Sequence, residues 1–207
     1  MLNMSFDEKL VIDTAKLEWQ QSPRPGVWRK PLAREEAERG HATSIVRYEP
    51  GASFSSHDHP LGEEILVLEG VFSDESGDYK AGTYFRNPKG YRHAPFSREG
   101  CIILVKLHQF LALDTRHVCI DTHQDDWQSN QLALHQFGSE KVSMQVILEG
   151  ESLLVRGEER GQEIYILSGE LRDANQSYIA GTWMRHPGVL DLSARSDTRI
   201  WLKTGHF

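Results

Sequence analysis

The apolar residues of this chain fall into short runs that predict β-strands. Val142, Met144 and Val146 alternate with Ser143 and Gln145, which is the period of a strand with one buried face. Other runs are apolar on both faces, as strands inside a packed sandwich are, and glycine or proline separates the runs at intervals that suit hairpins. Together the pattern predicts an all-β sandwich or barrel. The fully apolar runs are Ile65–Leu68 and Ile102–Val105.

An internal repeat divides the chain into two copies, which we place at residues 1–115 and 116–207. One tripeptide recurs 108 residues later and two longer segments recur 99 residues later. The difference of nine residues is assigned to the charged stretch Pro31–Gly40, which is predicted to be a long connection present only in the first copy. The matching pairs are Ile12–Thr14 with Ile120–Thr122, Gly62–Gly70 with Gly161–Gly169, and Tyr79–Pro88 with Tyr178–Pro187.

Composition narrows the functional classes. The chain has 207 residues, 39% of them hydrophobic, and a formal net charge of −7. No basic stripe is present, which argues against direct binding of nucleic acid. No apolar run approaches the roughly 20 residues of a membrane helix, and the first residues lack a secretory pattern. Only Cys101 and Cys119 are present, so a disulfide framework is not expected and a cytoplasmic location is.

The first copy contains a set of residues that predicts a metal site. Residues two apart on a strand point to the same face, so His57 and His59 are expected to point into the barrel together. A turn at Pro60–Gly62 brings back Glu63, and His93 arrives from a later strand. Three imidazoles and one carboxylate suit Zn, Fe, Ni, Cu or Mn better than Ca or Mg. We therefore predict one divalent metal per chain on these four side chains.

The second copy lacks this set. Adding 99 to the four ligand positions gives Arg156, Glu158, Gln162 and Leu192. Leucine cannot bind a metal and an arginine would repel one, so the second copy is predicted to be a degenerate barrel without metal ligands. Residues kept in both copies, such as Arg86 and Arg185, are interpreted as scaffold. In the first copy, strand alternation is expected to turn Asp58 and Glu64 away from the metal.

The spacing of these residues resembles the paired motifs of the cupin family. The amino-acid sequence around the ligands, over about residues 25–110, is similar to that of the cupin domain of ChrR-type anti-sigma factors. The segments that carry the resemblance are Arg47–Gly51, Glu63–Glu75, Ala81–Tyr84, Arg86–Pro88 and His93–Ser97. The second cupin motif usually ends in Asn, where this chain has Phe96 or Ser97, a position that is not a ligand.

The resemblance implies a structure and a ligand set. The fold is two cupin barrels (double-stranded β-helices of the jelly-roll type) in tandem. The metal ligands carried over are His57, His59, Glu63 and His93. Zinc is the first expectation for the metal, with Fe, Mn or Ni as alternatives.

Three functions follow from the resemblance and the ligand set. The first is a zinc-binding sensory module in a transcriptional response to singlet oxygen or related oxidants, with a regulatory protein such as a sigma factor or a small molecule as partner. No cysteine precedes Cys101 and the segment before Val27 is short, so the separate helical anti-sigma domain of that family is not expected here. The second is an Fe-dependent cupin dioxygenase, since four ligands leave two positions open on a six-coordinate metal. The third is a storage or structural protein; monomer and homodimer both stay open.

Overall fold

The structure is a computed structural model that describes residues 1–36, 40–124, 127–155 and 161–206. These residues form twenty β-strands and one short 3-10 turn, which confirms the all-β prediction. None of the helices in the described ranges has the length and apolar character needed to cross a bilayer. The chain divides into two compact units: unit 1 is Met1–Met4 with Glu18–Gln124, and unit 2 is Ser5–Leu17 with Asp125–Phe207.

Unit 1 is built around one large antiparallel sheet with the strand order β11-β8-β6-β10-β4-β3-β2. β7 pairs with the far half of the long strand β6, and β5 pairs with β9 as a separate two-stranded sheet. The strands are β2 (Gln20–Gln21), β3 (Val27–Arg34), β4 (Ala42–Tyr48), β5 (His57–Asp58), β6 (Glu63–Asp74), β7 (Gly77–Lys80), β8 (Thr83–Asn87), β9 (Arg92–His93), β10 (Cys101–Leu107) and β11 (Val118–Asp121).

Unit 2 repeats this architecture with the sheet order β1-β18-β15-β20-β13-β12 and a second sheet β14-β19-β16-β17. A 3-10 turn at Thr14–Lys16 follows its first strand. The strands are β1 (Leu10–Asp13), β12 (Gln131–Phe137), β13 (Glu140–Ile147), β14 (Ser152–Val155), β15 (Gln162–Ser168), β16 (Glu170–Arg172), β17 (Ser177–Ile179), β18 (Thr182–His186), β19 (Leu190–Ala194) and β20 (Thr198–Thr204).

The two units differ from the two sequence copies by an exchange of first strands. β11, which opens the second copy, pairs with β8 of unit 1, and β1, which opens the first copy, pairs with β18 of unit 2. Both strands end at the Ile-Asp of the repeated Ile-Asp-Thr, and the threonine follows directly. The hydroxyl of Thr122 donates to the carbonyl of Gly82 at 2.8 Å, and that of Thr14 donates to the carbonyl of Gly181 at 2.7 Å. The tripeptide is therefore repeated because it makes the same edge contact in each unit.

The stretch Pro31–Gly40 is only partly the connection that the repeat predicted. Pro31–Arg34 continues strand β3 and pairs with β4. The register shifts between Pro31 and Ala33, as expected where a residue without an N–H group enters a ladder. Residues 37–39 lie outside the described ranges.

The core of unit 1 fills the barrel below the end where β5 and β9 pair. Inward positions of β3, β4, β6, β8 and β10 supply most of it, following the alternation of strands, and Ala52 in the loop after β4 adds to it. Its members are Val27, Val46, Tyr48, Ala52, Ile65, Val67, Phe72, Phe85, Cys101, Ile103 and Val105. Burial of these side chains fixes the frame that carries β5, β6 and β9.

Gly70 is a position where the frame of unit 1 needs a glycine. It has a φ of +70°, and a Cβ there would overlap the carbonyl oxygen of Gly100. Gly51 is a matched control, because its φ is +80° and a Cβ there would meet nothing within 4 Å. Gly51→Ala should lower the free energy of unfolding by about 1–2 kcal/mol, the cost of the left-handed backbone. Gly70→Ala should cost about 1–3 kcal/mol more because of overpacking.

Urea unfolding of the two variants measures this difference. Equal losses in the two variants would contradict the tight approach of Gly70 to Gly100.

Candidate metal centre

His57 and His93 lie directly opposite each other on paired strands. β5 and β9 are antiparallel, and their register sets His57 against His93. The ring centroids are 5.2 Å apart. Nδ1 of His57 lies 2.9 Å from the carbonyl oxygen of Ser55, which can only accept, so the ring donates from Nδ1 and keeps its lone pair on Nε2. Backbone pairing thus brings two imidazoles from distant parts of the sequence to one point.

His59 and Glu63 reach the same point from either side of a turn. The Gly62 amide donates to the His59 carbonyl at 3.3 Å, which closes the turn, and β6 begins at Glu63. Nε2 of His59 lies 3.0 Å from Nε2 of His93. Oε2 of Glu63 lies 3.5 Å from the first of these nitrogens and 3.4 Å from the second. The turn expected at Pro60–Gly62 is confirmed, and the structure brings all four sequence-predicted residues together.

The geometry of this cluster fits a metal ion. Donors that share an ion at about 2.0–2.1 Å lie about 3.0–3.4 Å from one another, close to the separations among His59, Glu63 and His93. The ligand atoms of His57, His59 and His93 all lie within 4.8 Å of one another. Within the described ranges, this is the one group of three or more His, Cys, Asp or Glu side chains so arranged. Three histidines of the chain could therefore hold a metal.

Burial prepares the side chains of the cluster for a cation. It lowers the pKa of His59 to about 3, and the neighbouring His93 and His57 lower that pKa further. The imidazole is therefore neutral at physiological pH and offers a lone pair. Burial also raises the pKa of Glu63, which means that its charged form lacks full compensation from the protein. A bound cation would supply that compensation.

Asp74 orients His93 and was missed as a functional residue by the sequence reasoning. Its Oδ2 lies 3.1 Å from Nδ1 of His93, so Nε2 of that ring faces the cluster. The Ser76 amide donates to Asp74 at 2.8 Å, and the Tyr79 hydroxyl at 3.2 Å. Burial is the largest single influence and lowers the pKa of His93, but the hydrogen bond to Asp74 and the charges of Glu63, Asp74 and Glu75 together raise that pKa overall. A carboxylate behind a histidine ligand typically fixes its tautomer and strengthens metal binding.

The internal repeat makes this role of Asp74 hard to recognise from the sequence, because an equivalent aspartate is present in unit 2. Its counterpart Asp173 accepts the same turn bonds, from the Asn175 amide at 2.8 Å and from the hydroxyl of Tyr178. There, however, the carboxylate pairs with Lys9 at 2.9 Å instead of with a histidine. A residue kept in both copies was interpreted as scaffold, whereas unit 1 uses the turn carboxylate for a second purpose.

A cavity opens beside the cluster, which we call the barrel cavity. Its inner part encloses about 100 Å³ and its wider mouth about 440 Å³. His57 and His59 line both parts, and Glu63 lines the inner part. The wall beyond them is mostly apolar, and its main members are Val46, Phe54, Ile103, Val105 and Leu107. The cluster of candidate metal ligands thus faces a space that is large enough for a small molecule.

The neighbouring carboxylates behave as the strand alternation predicts. Glu64 accepts hydrogen bonds from the hydroxyl of Tyr84 at 3.0 Å and from Arg86 at 3.1 Å, on the opposite side of β6 from Glu63. Arg86 also pairs with the buried Asp114 at 2.9 Å. Asp58 is exposed. Glu64, Arg86 and Asp114 form a buried ionic network, and Asp58 lies at the surface. Neither Glu64 nor Asp58 therefore belongs to the cluster of candidate metal ligands.

Unit 2 has aliphatic residues where unit 1 has the histidines. β14 pairs with β19 so that Leu153 lies opposite Leu192, the same relation that joins His57 to His93. Both leucines belong to the unit 2 core. Gln162, the counterpart of Glu63, is buried and donates to the carbonyl of Gly188. Arg156 and Glu158, which the offset of 99 assigns to the first two ligand positions, lie outside the described residues.

Solved structures share this architecture at low sequence identity. A candidate dioxygenase from Nostoc punctiforme superposes with a TM-score of 0.80 at 15% identity, covering 97% of this chain and 84% of its own. A bacterial pirin from Escherichia coli in complex with nickel(II) gives 0.74 at 13% identity, covering 95% and 98%. An oxalate decarboxylase variant from Bacillus subtilis gives 0.59 at 12% identity, covering 94% and 76%. Such identities establish the cupin fold alone.

Comparison of sequences gives the family. No curated protein sequence matches the chain significantly. The family model described as the ChrR cupin-like domain matches residues 7–111, just over half of the chain and the part that contains all four clustered side chains. The chain therefore belongs to the ChrR cupin-like domain family, and its tandem barrels carry a three-histidine cluster able to hold a metal in unit 1.

Proposed function

We propose that unit 1 binds one divalent metal, zinc first, through His57, His59, Glu63 and His93, and that the protein is a sensory module of an oxidative-stress response. The observation that carries the metal site is the convergence of His59, Glu63 and His93 within 3.0–3.5 Å, with the ligand atom of His57 within 4.8 Å of those of the other two histidines, beside an open cavity. When bound, the metal would supply a Lewis acid beside the cavity.

The residues of unit 1 couple the metal to local structure. β5 and β9 have only two residues each, which is too little pairing to hold a sheet without help. Each of the two strands contributes one histidine to the cluster, so a metal bound by His57 and His93 would link the paired strands. Loss of the metal would free this end of the barrel, and such a change is what a regulatory partner, for example a sigma factor, would detect.

The exposure of the ligands suits a signal that arrives from solution. His57 is half-buried and lines the cavity and its mouth, whereas His59 and His93 are buried. A dissolved oxidant would therefore meet the metal and His57 first. The Asp74–His93 pair lies on the protected side and holds its half of the site in place.

The barrel cavity favours a second candidate, an Fe-dependent dioxygenase. Its mostly apolar wall beside His57 leaves room for a substrate next to the metal. The similar fold of the Nostoc punctiforme candidate dioxygenase supports this candidate at the level of architecture. Among the described residues that line the cavity outside the cluster, His108 and, at the mouth, Asp58 can transfer a proton, whereas Glu64 pairs with Arg86.

Protein purified from its native host should hold one metal per chain, and loss of a ligand should remove it. His57→Ala and His93→Ala each delete one donor of the cluster, so metal content measured by elemental analysis should fall well below one per chain. His123→Ala, which removes an exposed histidine of the same unit, should keep full occupancy. Full occupancy in either ligand variant, or two metals per chain in the wild type, would refute the assignment.

Asp74→Asn should weaken metal binding without removing a ligand. The amide holds His93 less firmly than the carboxylate does, so zinc affinity in a competitive chelator titration should fall about 10–100-fold. Asp173→Asn is the matched control, because it makes the same change at the same turn of unit 2. Equal zinc affinities in the two variants would show that Asp74 acts only in the turn.

The response to oxidant and to O2 separates the two candidate functions. For the zinc sensor, exposure to singlet oxygen should release zinc from the wild-type protein, and iron-loaded protein should consume no O2 with small diketones or thiols. Oxygen electrode traces and a zinc-release dye measure these two responses. Steady substrate-dependent O2 uptake by iron-loaded protein, abolished in His57→Ala, would overturn the sensor assignment in favour of the dioxygenase.

A further inference from the structure

The wall of the barrel cavity is apolar along two neighbouring strands. Val46 on β4 lies directly opposite Ile103 on β10, and both side chains are buried and line the cavity. Val105 and Leu107 follow at alternate positions of β10, so they continue the same face. A wall of this kind favours the hydrocarbon part of a ligand, because contact with it removes apolar surface from water.

Tyr48 brings a hydrogen-bonding group to this wall. It is only 5% exposed, and its ring packs edge-on against Phe54 and Phe72, with centroids 5.8 Å and 5.6 Å away. The hydroxyl makes no hydrogen bond to any described residue and is not fully enclosed, so it faces the cavity that Tyr48 lines. Burial and then the charge of Glu63 raise the pKa of Tyr48 well above its usual value. At neutral pH the phenol is therefore a hydrogen-bond donor within electrostatic reach of the cluster.

The frame of the barrel does not need this hydroxyl. Tyr48 is the last residue of β4 and pairs with Cys101, the first residue of β10. At the same place in unit 2, Ile147 ends β13 and pairs with Thr198, the first residue of β20. Ile147 belongs to the unit 2 core, so an aliphatic side chain serves the fold there. The hydroxyl therefore accompanies the unit that has the histidine cluster.

The charges along the wall and at the mouth offset one another. Arg29 and Arg34 line the cavity, but each already interacts with another group of the protein, so neither counts as a free cation. Glu36 in the wall and Asp58 at the mouth carry as much negative charge as the two arginines carry positive charge. Burial lowers the pKa of His108, the lining histidine outside the cluster, so this ring is neutral at physiological pH. The wall therefore selects neither an anion nor a cation.

The available hydroxyls and the cluster together suit an uncharged acceptor. Ser44, the other hydroxyl residue of the inner wall, also makes no hydrogen bond to any described residue. A carboxylate is best recognised by a bidentate arginine, and both lining arginines are already engaged. A divalent metal would exceed the charge of Glu63 by one, which repels a cation but can face the lone pair of a neutral oxygen. An uncharged ligand with one oxygen acceptor therefore fits these groups.

We propose that the barrel cavity binds a small uncharged molecule that carries one oxygen acceptor. The oxygen accepts a hydrogen bond from Tyr48 on the side of the cluster, and the hydrocarbon body lies along Val46, Ile103 and Val105. The proposal deepens the function proposed above and rests on it, since the ligand oxygen would lie between Tyr48 and the metal. An apolar protein cavity of about 150 Å³ can hold benzene. The inner cavity of about 100 Å³ with its wider mouth therefore suits a ligand of about six non-hydrogen atoms.

Tetrahydropyran and cyclohexane test the proposal, because the two rings have nearly the same shape and only the first has an oxygen acceptor. Their dissociation constants are measured by ligand-observed NMR titration of the metal-loaded full chain. Tyr48→Phe should weaken the binding of tetrahydropyran about three- to tenfold, the scale of one neutral hydrogen bond, and leave the binding of cyclohexane unchanged. Ser44→Ala, the matched loss of a hydroxyl from the same wall, should leave both dissociation constants nearly unchanged.

Two charged rings test the sign of the ligand. Piperidinium has the same ring shape with a positive charge, and cyclohexanecarboxylate carries a negative charge on the ring. Each should bind at least about tenfold more weakly than tetrahydropyran, because the wall offers its charge no free partner. Tighter binding of either ion than of tetrahydropyran would overturn the proposal.

The metal content of each sample is measured first, so that the two proposals fail separately. A wild-type chain that holds no metal would refute the metal site. A metal-loaded chain that does not bind tetrahydropyran, or binds it as tightly after Tyr48→Phe, would overturn the ligand proposal and leave the metal site standing. An equal loss of tetrahydropyran affinity in Ser44→Ala would also overturn it, because Tyr48 would then not be the group that places the oxygen.

Discussion

The pairing of β5 with β9 is the constraint on which the site depends. It sets His57 opposite His93 although they are far apart in sequence, and these two short strands could not hold that relation by themselves. The buried Asp74 fixes His93 from behind, and the turn before Glu63 returns the carboxylate beside His59. Backbone register and buried hydrogen bonds thus bring the donors together, and a bound metal would add the link that the two short strands lack.

The internal repeat shows which features belong to the frame and which belong to the site. Both units keep the sheet order, the exchanged first strand with the threonine that follows it, and the turn carboxylate Asp74 or Asp173. Where they differ is the interior: the opposed pair is His57 with His93 in unit 1 and Leu153 with Leu192 in unit 2. The same frame therefore accommodates either an interior with candidate metal ligands or an aliphatic core. The residues at a few inward positions determine which of the two forms.

The sequence predicted the fold class, the repeat and the convergence of the four donors, because strand alternation and glycine-bounded spacing are local patterns. It could not predict the strand exchange, since the repeat of Ile12–Thr14 and Ile120–Thr122 is the same whichever sheet each strand joins. The role of Asp74 also depends on a contact across 19 residues that no spacing rule describes. Likewise, the offset of 99 led to Arg156 for the counterpart of His57, whereas the strand pairing leads to Leu153.

The location of the metal is the central claim, and an anomalous difference map from crystals of the metal-loaded protein tests it most directly. The account predicts one peak per chain, in contact with His57, His59, Glu63 and His93, and no peak beside Leu153 and Leu192. A peak elsewhere, or a map without any peak at the four side chains in protein that carries one metal per chain in solution, would contradict it.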